Sequence, residues 1–163
     1  MSKLLNSINH CSELPRRKTL MTKMNIKEIQ DLIPNRYPIY FIDRVDEMIP
    51  GEHVLALKNV TINEEIFQGH FPGEPVLPGV YILESLAQAG SIPLLTLDRF
   101  KGQTAYLGGM NKVKFRKKVV PGDQLMLQVD IIKLKDYAGI GKAVAYVDGK
   151  KVCEAELTFI IGR

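Results

Sequence analysis

Two side chains in the stretch G-H-F-P-G-E-P-V-L-P-G-V-Y-I-L-E-S-L-A-Q-A-G, from Gly69 to Gly90, could do acid–base chemistry: His70 and Glu84. Imidazole titrates near neutral pH. His70 enters a loop containing Pro72, Gly73, Pro75 and Pro78. Proline fixes its own φ and restricts the residue before it, so this loop holds one shape. From about Gly79 the spacing predicts a helix whose apolar residues Val80, Ile82, Leu83, Leu86, Ala87 and Ala89 lie on every side. Such a helix is buried, and the carboxyl group of Glu84 within it is costly unless paired or protonated.

A histidine base and a carboxylic acid can serve opposite ends of one proton transfer. The junction Pro78-Gly79 adds amides at a helix start, where the helix dipole favours an oxyanion on a carbonyl. Together these groups suit proton abstraction beside a carbonyl. Gln88, one turn after Glu84, can hydrogen-bond and orient its carboxyl group. Other chemistries lack their parts: three histidines, two lone cysteines and no H-E-x-x-H leave a metal site nothing to be built from. No G-x-G-x-x-G, phosphate loop or G-x-S-x-G elbow occurs either. Residue chemistry alone also admits, and slightly favours, a plain structural reading, with His70 satisfied by loop carbonyls and Glu84 paired with an arginine elsewhere.

The elements that must position these groups form an α+β domain. Asn25 with Glu28 three residues on predicts a capped helix over Ile26–Ile33, stopped by Pro34. Strands are predicted over Ile39–Met48 and His53–Thr61, a hairpin around Pro50-Gly51. Pro93 is expected to kink or end the central helix. Further strands are predicted over Ala105–Leu107, Val113–Val120, Leu125–Leu134, Ile140–Val147 and Val152–Ile161, separated by Gly108-Gly109, Pro121-Gly122-Asp123, Asp136–Gly139 and Asp148-Gly149. One long helix with five to seven mostly hairpin-linked strands is an α+β pattern.

The chain's 163 residues, 45% hydrophobic and 25% charged, suit one globular domain. The net charge of +4 resides in residues 1–24, where Lys3, Arg16, Arg17, Lys18 and Lys23 face Glu13 alone. Residues 25–163, the expected domain, are neutral, which argues against a nucleic-acid-binding fold. The basic leader is expected to be a disordered or alternative-start extension, with Met21 and Met24 just before the first pattern. A transit peptide ranks well below, for want of an amphipathic pattern. No apolar run reaches the eighteen or so residues of a membrane span. Cys11 and Cys153 make no disulfide framework, so a reducing cytoplasm is the expected compartment.

The run from His70 to Gln88 resembles the signature of the (3R)-3-hydroxyacyl-acyl-carrier-protein dehydratases of type II fatty acid synthesis. The flanks N-R-Y-P-I-Y-F-I-D-R-V (Asn35–Val45), K-N-V-T-I-N-E (Lys58–Glu64) and K-V-K-F-R-K-K-V-V-P-G-D (Lys112–Asp123) agree. The resemblance covers roughly Asn25 to Arg163. It implies the hot dog fold, a curved antiparallel sheet wrapped around a central helix, in dimers that often form a trimer of dimers. It implies His70 and Glu84 as the catalytic pair and a Gly79 N–H on the thioester carbonyl. Phe71, Val80 and Gln88 would adjoin the substrate, and Tyr106 would gate the acyl tunnel. It implies no cofactor. Asn35 departs from the histidine usual before R-Y-P, and Ser85 from the usual alanine; neither change removes a catalytic group.

The resemblance also implies an acidic carrier protein as partner. Lys112, Lys114, Arg116, Lys117 and Lys118 fall within seven residues without an acid. As an alternating strand they would set Lys112, Lys114, Arg116 and Lys118 on one face, a docking patch or simply a solvated one. The helix rise separates Glu84 from Gly79 by about 7.5 Å, so His70 and Glu84 need not meet within one chain. In the family they meet across a dimer. A dehydratase that also isomerises trans-2 to cis-3 would use the same residues. A hot dog thioesterase and a non-catalytic acyl-carrier binding module are the further alternatives, the last disfavoured by the intact pair.

Overall fold

The computed structural model describes residues 22–162. The first helix, α1 (Ile26–Leu32), starts as the capping pattern predicts: the Asn25 side chain accepts from the amides of Lys27 and Glu28, and Glu28 reaches back to the Asn25 N–H at 2.7 Å. Its last carbonyls would lack partners. Arg36 supplies them, donating to the carbonyls of Gln30 and Ile33 at 2.8 Å each.

Strands β1 (Arg44–Ile49) and β2 (His53–Asn59) form the expected hairpin, although β1 starts later than predicted. The residues before it are otherwise engaged, as described below. A 3-10 turn, Glu65–Gln68, leads through the proline loop into α2 (Gly79–Leu95). Then come β3 (Thr104–Phe115), β4 (Gln124–Lys135), β5 (Ala138–Val147) and β6 (Lys150–Gly162). The six strands make one antiparallel sheet in the order β1-β2-β4-β5-β6-β3.

Helix α2 packs against this sheet, touching β2 through β6. Alternate strand residues face it: Val54 and Ala56, Leu125, Leu127 and Val129, Ala143 and Ala145, Leu157 and Phe159 are all at most 1% exposed. Burying a side chain of leucine or phenylalanine size contributes roughly 1.5–3 kcal/mol, so the inner layer is the main attraction holding helix to sheet. From Ser85 to Leu95 the helix is wholly buried, as its all-round apolar pattern predicts. Its first turn is not: Val80 is 65% exposed. The helix also passes through Pro93 to Leu95, forgoing the one bond that an N–H at this position would have made to the Ala89 carbonyl. The Pro93 carbonyl is taken by the Gly51 amide at 2.7 Å and the Thr96 hydroxyl at 2.8 Å, tying the helix end to the β1–β2 turn.

The two strands expected on either side of Gly108-Gly109 are one strand. β3 follows β6 throughout, with irregularities between Leu107 and Gly109 and between Asn111 and Lys114. A Cβ on Gly108 would lie 2.6 Å from the Ile160 side chain, so the glycine permits a close approach at a bulge instead of marking a turn. The edges of the sheet differ. Thr22 and Met24 lie along β1, with Met24 and Val45 exchanging hydrogen bonds at 3.1 and 2.9 Å. Residues 1–21 of the expected leader fall outside the described residues. Along β3 no further strand pairs among the described residues, and the strand exposes Leu107, Met110 and Phe115. No described helix is long and apolar enough to cross a membrane.

Candidate functional site

The proline loop is pinned at both ends. The His70 amide donates to the Ile66 carbonyl of the 3-10 turn, the Val76 amide returns to the His70 carbonyl, and the Leu77 amide reaches Val119 at 2.8 Å. Inside this frame the half-buried His70 ring places Nδ1 at 2.6 Å from the Val76 carbonyl, with Phe71 stacked on it at 3.9 Å between centroids. A carbonyl oxygen only accepts, so Nδ1 carries a proton, and in the neutral imidazole it is Nε2 that keeps the lone pair.

His70 lines a cleft of about 590 Å³ with Gly79, Val80, Phe115, Arg116 and Lys117. Helix α2 begins at its wall. The Tyr81 and Ile82 amides both turn back to the Pro78 carbonyl, at 2.9 and 3.4 Å, leaving the Gly79 and Val80 amides for an acceptor in the cleft. Those two N–H groups stand at the positive end of a seventeen-residue helix. The Phe115 ring lies close against Gly79, where a Cβ would meet it at 2.6 Å.

Glu84 lines a different cleft, of about 350 Å³, with Asn35, Gln88, Ser91, Tyr106 and Phe159. It is half-buried and tied to its own helix: Gln88 donates to it at 2.9 Å. Gln88 is itself 3% exposed and fully engaged, accepting from the Phe41 amide and donating to the Ile39 carbonyl, both at 3.0 Å. Segment Ile39–Phe41, read from sequence as strand, instead serves as the bracket that holds this amide. The structure therefore joins Glu84 to Gln88 and Tyr106, and His70 to Gly79, Val80 and Phe71, but places the two groups in separate clefts.

The basic run does not alternate as a strand should. Lys112 sits at φ 53° in the bulge, and β3 ends at Phe115. Three of the five cations are paired: Lys112 with Glu156 at 3.4 Å, Arg116 with Glu154, and Lys118 with Glu74 at 2.7 Å. Lys151 and Arg116 hold the Glu154 carboxyl down at about 2, and Lys118 lowers that of Glu74. Lys114 and Lys117 make no ion pair among the described residues.

The sequence reading missed Lys58, which is 4% exposed and the one charged side chain below a tenth exposure among the described residues. The only signal for it was its place in an otherwise apolar alternation along β2.

Residues 33–156 match the model of the FabA-like domain. Among curated proteins, two from Enterococcus faecalis named 3-hydroxyacyl-(acyl-carrier-protein) dehydratase FabZ are 66% and 62% identical to this chain, each over 86% of it and over 97% and 99% of their own lengths. A third, from Ligilactobacillus salivarius, is 60% identical over 85% of this chain and 99% of its own. Among solved structures, the dehydratase heterocomplex ApeI:P from Xenorhabdus doucetiae aligns with a TM-score of 0.70 at 16% identity, covering 83% of this chain and 91% of that one. A hypothetical thioesterase from Streptococcus pneumoniae aligns at 0.57 and 14% identity, covering 72% and 84%. These distant likenesses show the hot dog fold, an open six-stranded sheet on one long helix. With the family model spanning most of the domain and relatives this similar over nearly their whole length, the chain belongs to the FabA-like family, among its 3-hydroxyacyl-acyl-carrier-protein dehydratases.

Proposed function

We propose that the chain eliminates water from (3R)-3-hydroxyacyl thioesters borne on acyl carrier protein, giving the trans-2-enoyl thioester, with His70 and Glu84 as its acid–base pair. His70 Nε2 takes a proton from C2, whose electrons move toward the thioester carbonyl. The Gly79 amide, with Val80 beside it, receives the developing oxyanion. As the double bond forms between C2 and C3, the C3–O bond breaks and Glu84 donates a proton to the departing hydroxyl, directly or through water. His70 ends protonated and Glu84 ionised, and a return proton transfer resets both. The observation that carries this reading is the Nδ1 contact with Val76, which reserves Nε2 as a base beside a helix start with two available amides.

The separate clefts call for a second chain. We infer a homodimer built on the open β3 edge, in which His70 of one protomer faces Glu84 of its partner, with trimers of such dimers as the larger assembly. Support comes from the unpaired length of β3, its exposed Leu107, Met110 and Phe115, and the exposed Val80 at the helix start. Mixing tests this. His70→Ala and Glu84→Gln proteins should each be nearly inactive. Refolded together in equal amounts, about half the dimers pair unlike chains, and each has one intact site of two, so activity returns to roughly a quarter of wild type. Mixed dimers as inactive as their parents would put both groups in one protomer.

A further inference from the structure

A buried ammonium is rare and stays only where it is paired and hydrogen-bonded. Lys58, on β2, spends all three N–H donors: two on the carboxylate oxygens of Glu64 at 3.0 Å each, and one on the Asn59 carbonyl at 3.2 Å. The same ammonium lies 5.2 Å from the centre of the Phe41 ring. The Glu64 and Phe41 contacts each lead to one half of the acid–base pair.

On one side, Glu64 is the residue from which the 3-10 turn Glu65–Gln68 springs. Its carboxylate also accepts from the Thr61 amide at 3.1 Å, and its carbonyl accepts from Phe67 at 3.2 Å. That turn holds the His70 amide through Ile66 at 3.0 Å. On the other side, the Phe41 amide holds Gln88, and Gln88 holds Glu84. The two clefts are separate, yet the supports of their key residues meet at one cation.

We propose that Lys58 is a positioning residue common to both His70 and Glu84, clamping Glu64 at the root of the histidine loop and seating Phe41 under the bracket that orients the carboxyl group. The inference rests on the roles given to His70 and Glu84 above. A buried ion pair contributes little net stability over an apolar pair of the same shape, whereas a displacement of about 1 Å in a reacting group costs on the order of a hundredfold in rate. Its role is therefore visible in turnover more than in stability.

The test replaces the pair as a unit. Lys58→Met with Glu64→Gln removes both charges and keeps the volumes, so no lone carboxylate is left buried. Circular dichroism, oligomer size and thermal melting check folding. Steady-state kinetics then separate kcat from KM, and hydrogen exchange read by mass spectrometry follows peptides covering residues 39–41 and 64–70. The expected result is a folded protein with kcat reduced ten- to a hundredfold, KM within about threefold, and faster exchange in both peptides. A folded double variant with wild-type kcat and unchanged exchange overturns the proposal, as does a loss confined to KM. Lys58→Gln with Glu64→Gln, an uncharged pair that can still hydrogen-bond, carries the same expectations at smaller size if the first double variant does not fold. His70→Ala and Glu84→Gln run beside it. If either keeps its activity, the catalytic roles fall, while the exchange readout still decides the clamp.

Discussion

Replacing Gly79 by alanine tests whether the thioester carbonyl must reach the helix start through the space beside Gly79. The new Cβ would lie 2.6 Å from Phe115 Cε1 and 2.9 Å from its Cζ, so the ring must retreat by about 1 Å to reach an ordinary carbon–carbon separation of 3.5–4.0 Å. Phe115 is 53% exposed within one chain, so its shift does not open the core, and because it lies on the edge inferred to join protomers, oligomer size is checked beside activity. Gly79 is the first helical residue, outside the helix interior where alanine's advantage over glycine is felt, so stability should change little. Activity should fall. The methyl group and the displaced ring crowd the cleft onto which the Gly79 and Val80 amides open. Alanine keeps the N–H, so the loss comes from denying the carbonyl access to it; a full block would cost as much as losing one oxyanion donor, about 2.7–4 kcal/mol or a hundred- to a thousandfold in kcat. Turnover of a 3-hydroxyacyl carrier-protein substrate would be measured for Gly79→Ala, for Phe115→Ala and for the two together. Removing the ring should restore much of the loss in the double variant, because the clash is with that ring. If Gly79→Ala folds normally and turns over within threefold of wild type, the thioester carbonyl does not approach the helix start through the space beside Gly79.

Three other outcomes are expected. The Tyr40 hydroxyl is buried without a hydrogen-bond partner among the described residues, so Tyr40→Phe should raise stability by about 1 kcal/mol at pH 7 in urea unfolding, and a loss of that size would mean the hydroxyl is satisfied. Burial, and then the charge of Asp43, push the Tyr40 phenol up to about 12, so its contribution is complete below pH 10 and lost as pH rises toward 12; the wild type should lose stability over that interval more steeply than the variant. Burial, and then Glu154, raise the Cys153 thiol to about 11; in a Cys11→Ser background it should resist a thiol reagent at pH 8 until the protein is unfolded, and prompt reaction in the native state would contradict the packing. Reversing Lys114 and Lys117 to glutamate should lower kcat/KM about tenfold at low salt for carrier-protein substrates and leave a small thioester analogue unaffected; equal effects on both would remove the docking role.

Much of this protein is legible in its sequence where the deciding interaction is local. The capping box at Asn25, the hairpin turns at Pro50-Gly51 and Asp148-Gly149, and the buried length of α2 follow from side chains within a few positions of one another. So does the Glu84–Gln88 bond, because residues four apart on a helix share a face. The family signature from His70 to Gln88 carried the reaction class for the same reason of adjacency, and relatives of high identity agree with it.

Tertiary structure decided what depends on residues far apart in the chain. Gly108-Gly109 has turn composition, yet pairing with β6 draws it into one long bulged strand, where glycine answers the approach of Ile160. Lys58 reads as an ordinary exposed lysine until Glu64 and Phe41 close around it. The bracket on Gln88 comes from Ile39 and Phe41, nearly fifty residues earlier, and no periodicity records a hydrogen bond across that distance. The separation of His70 from Glu84 likewise lies in how α2 rests on the sheet: its exposed first turn opens toward one cleft, while the turn carrying Glu84 opens toward another. Spacing along a helix fixes the height and angle of a side chain, but which solvent-filled space it enters depends on the elements packed around it.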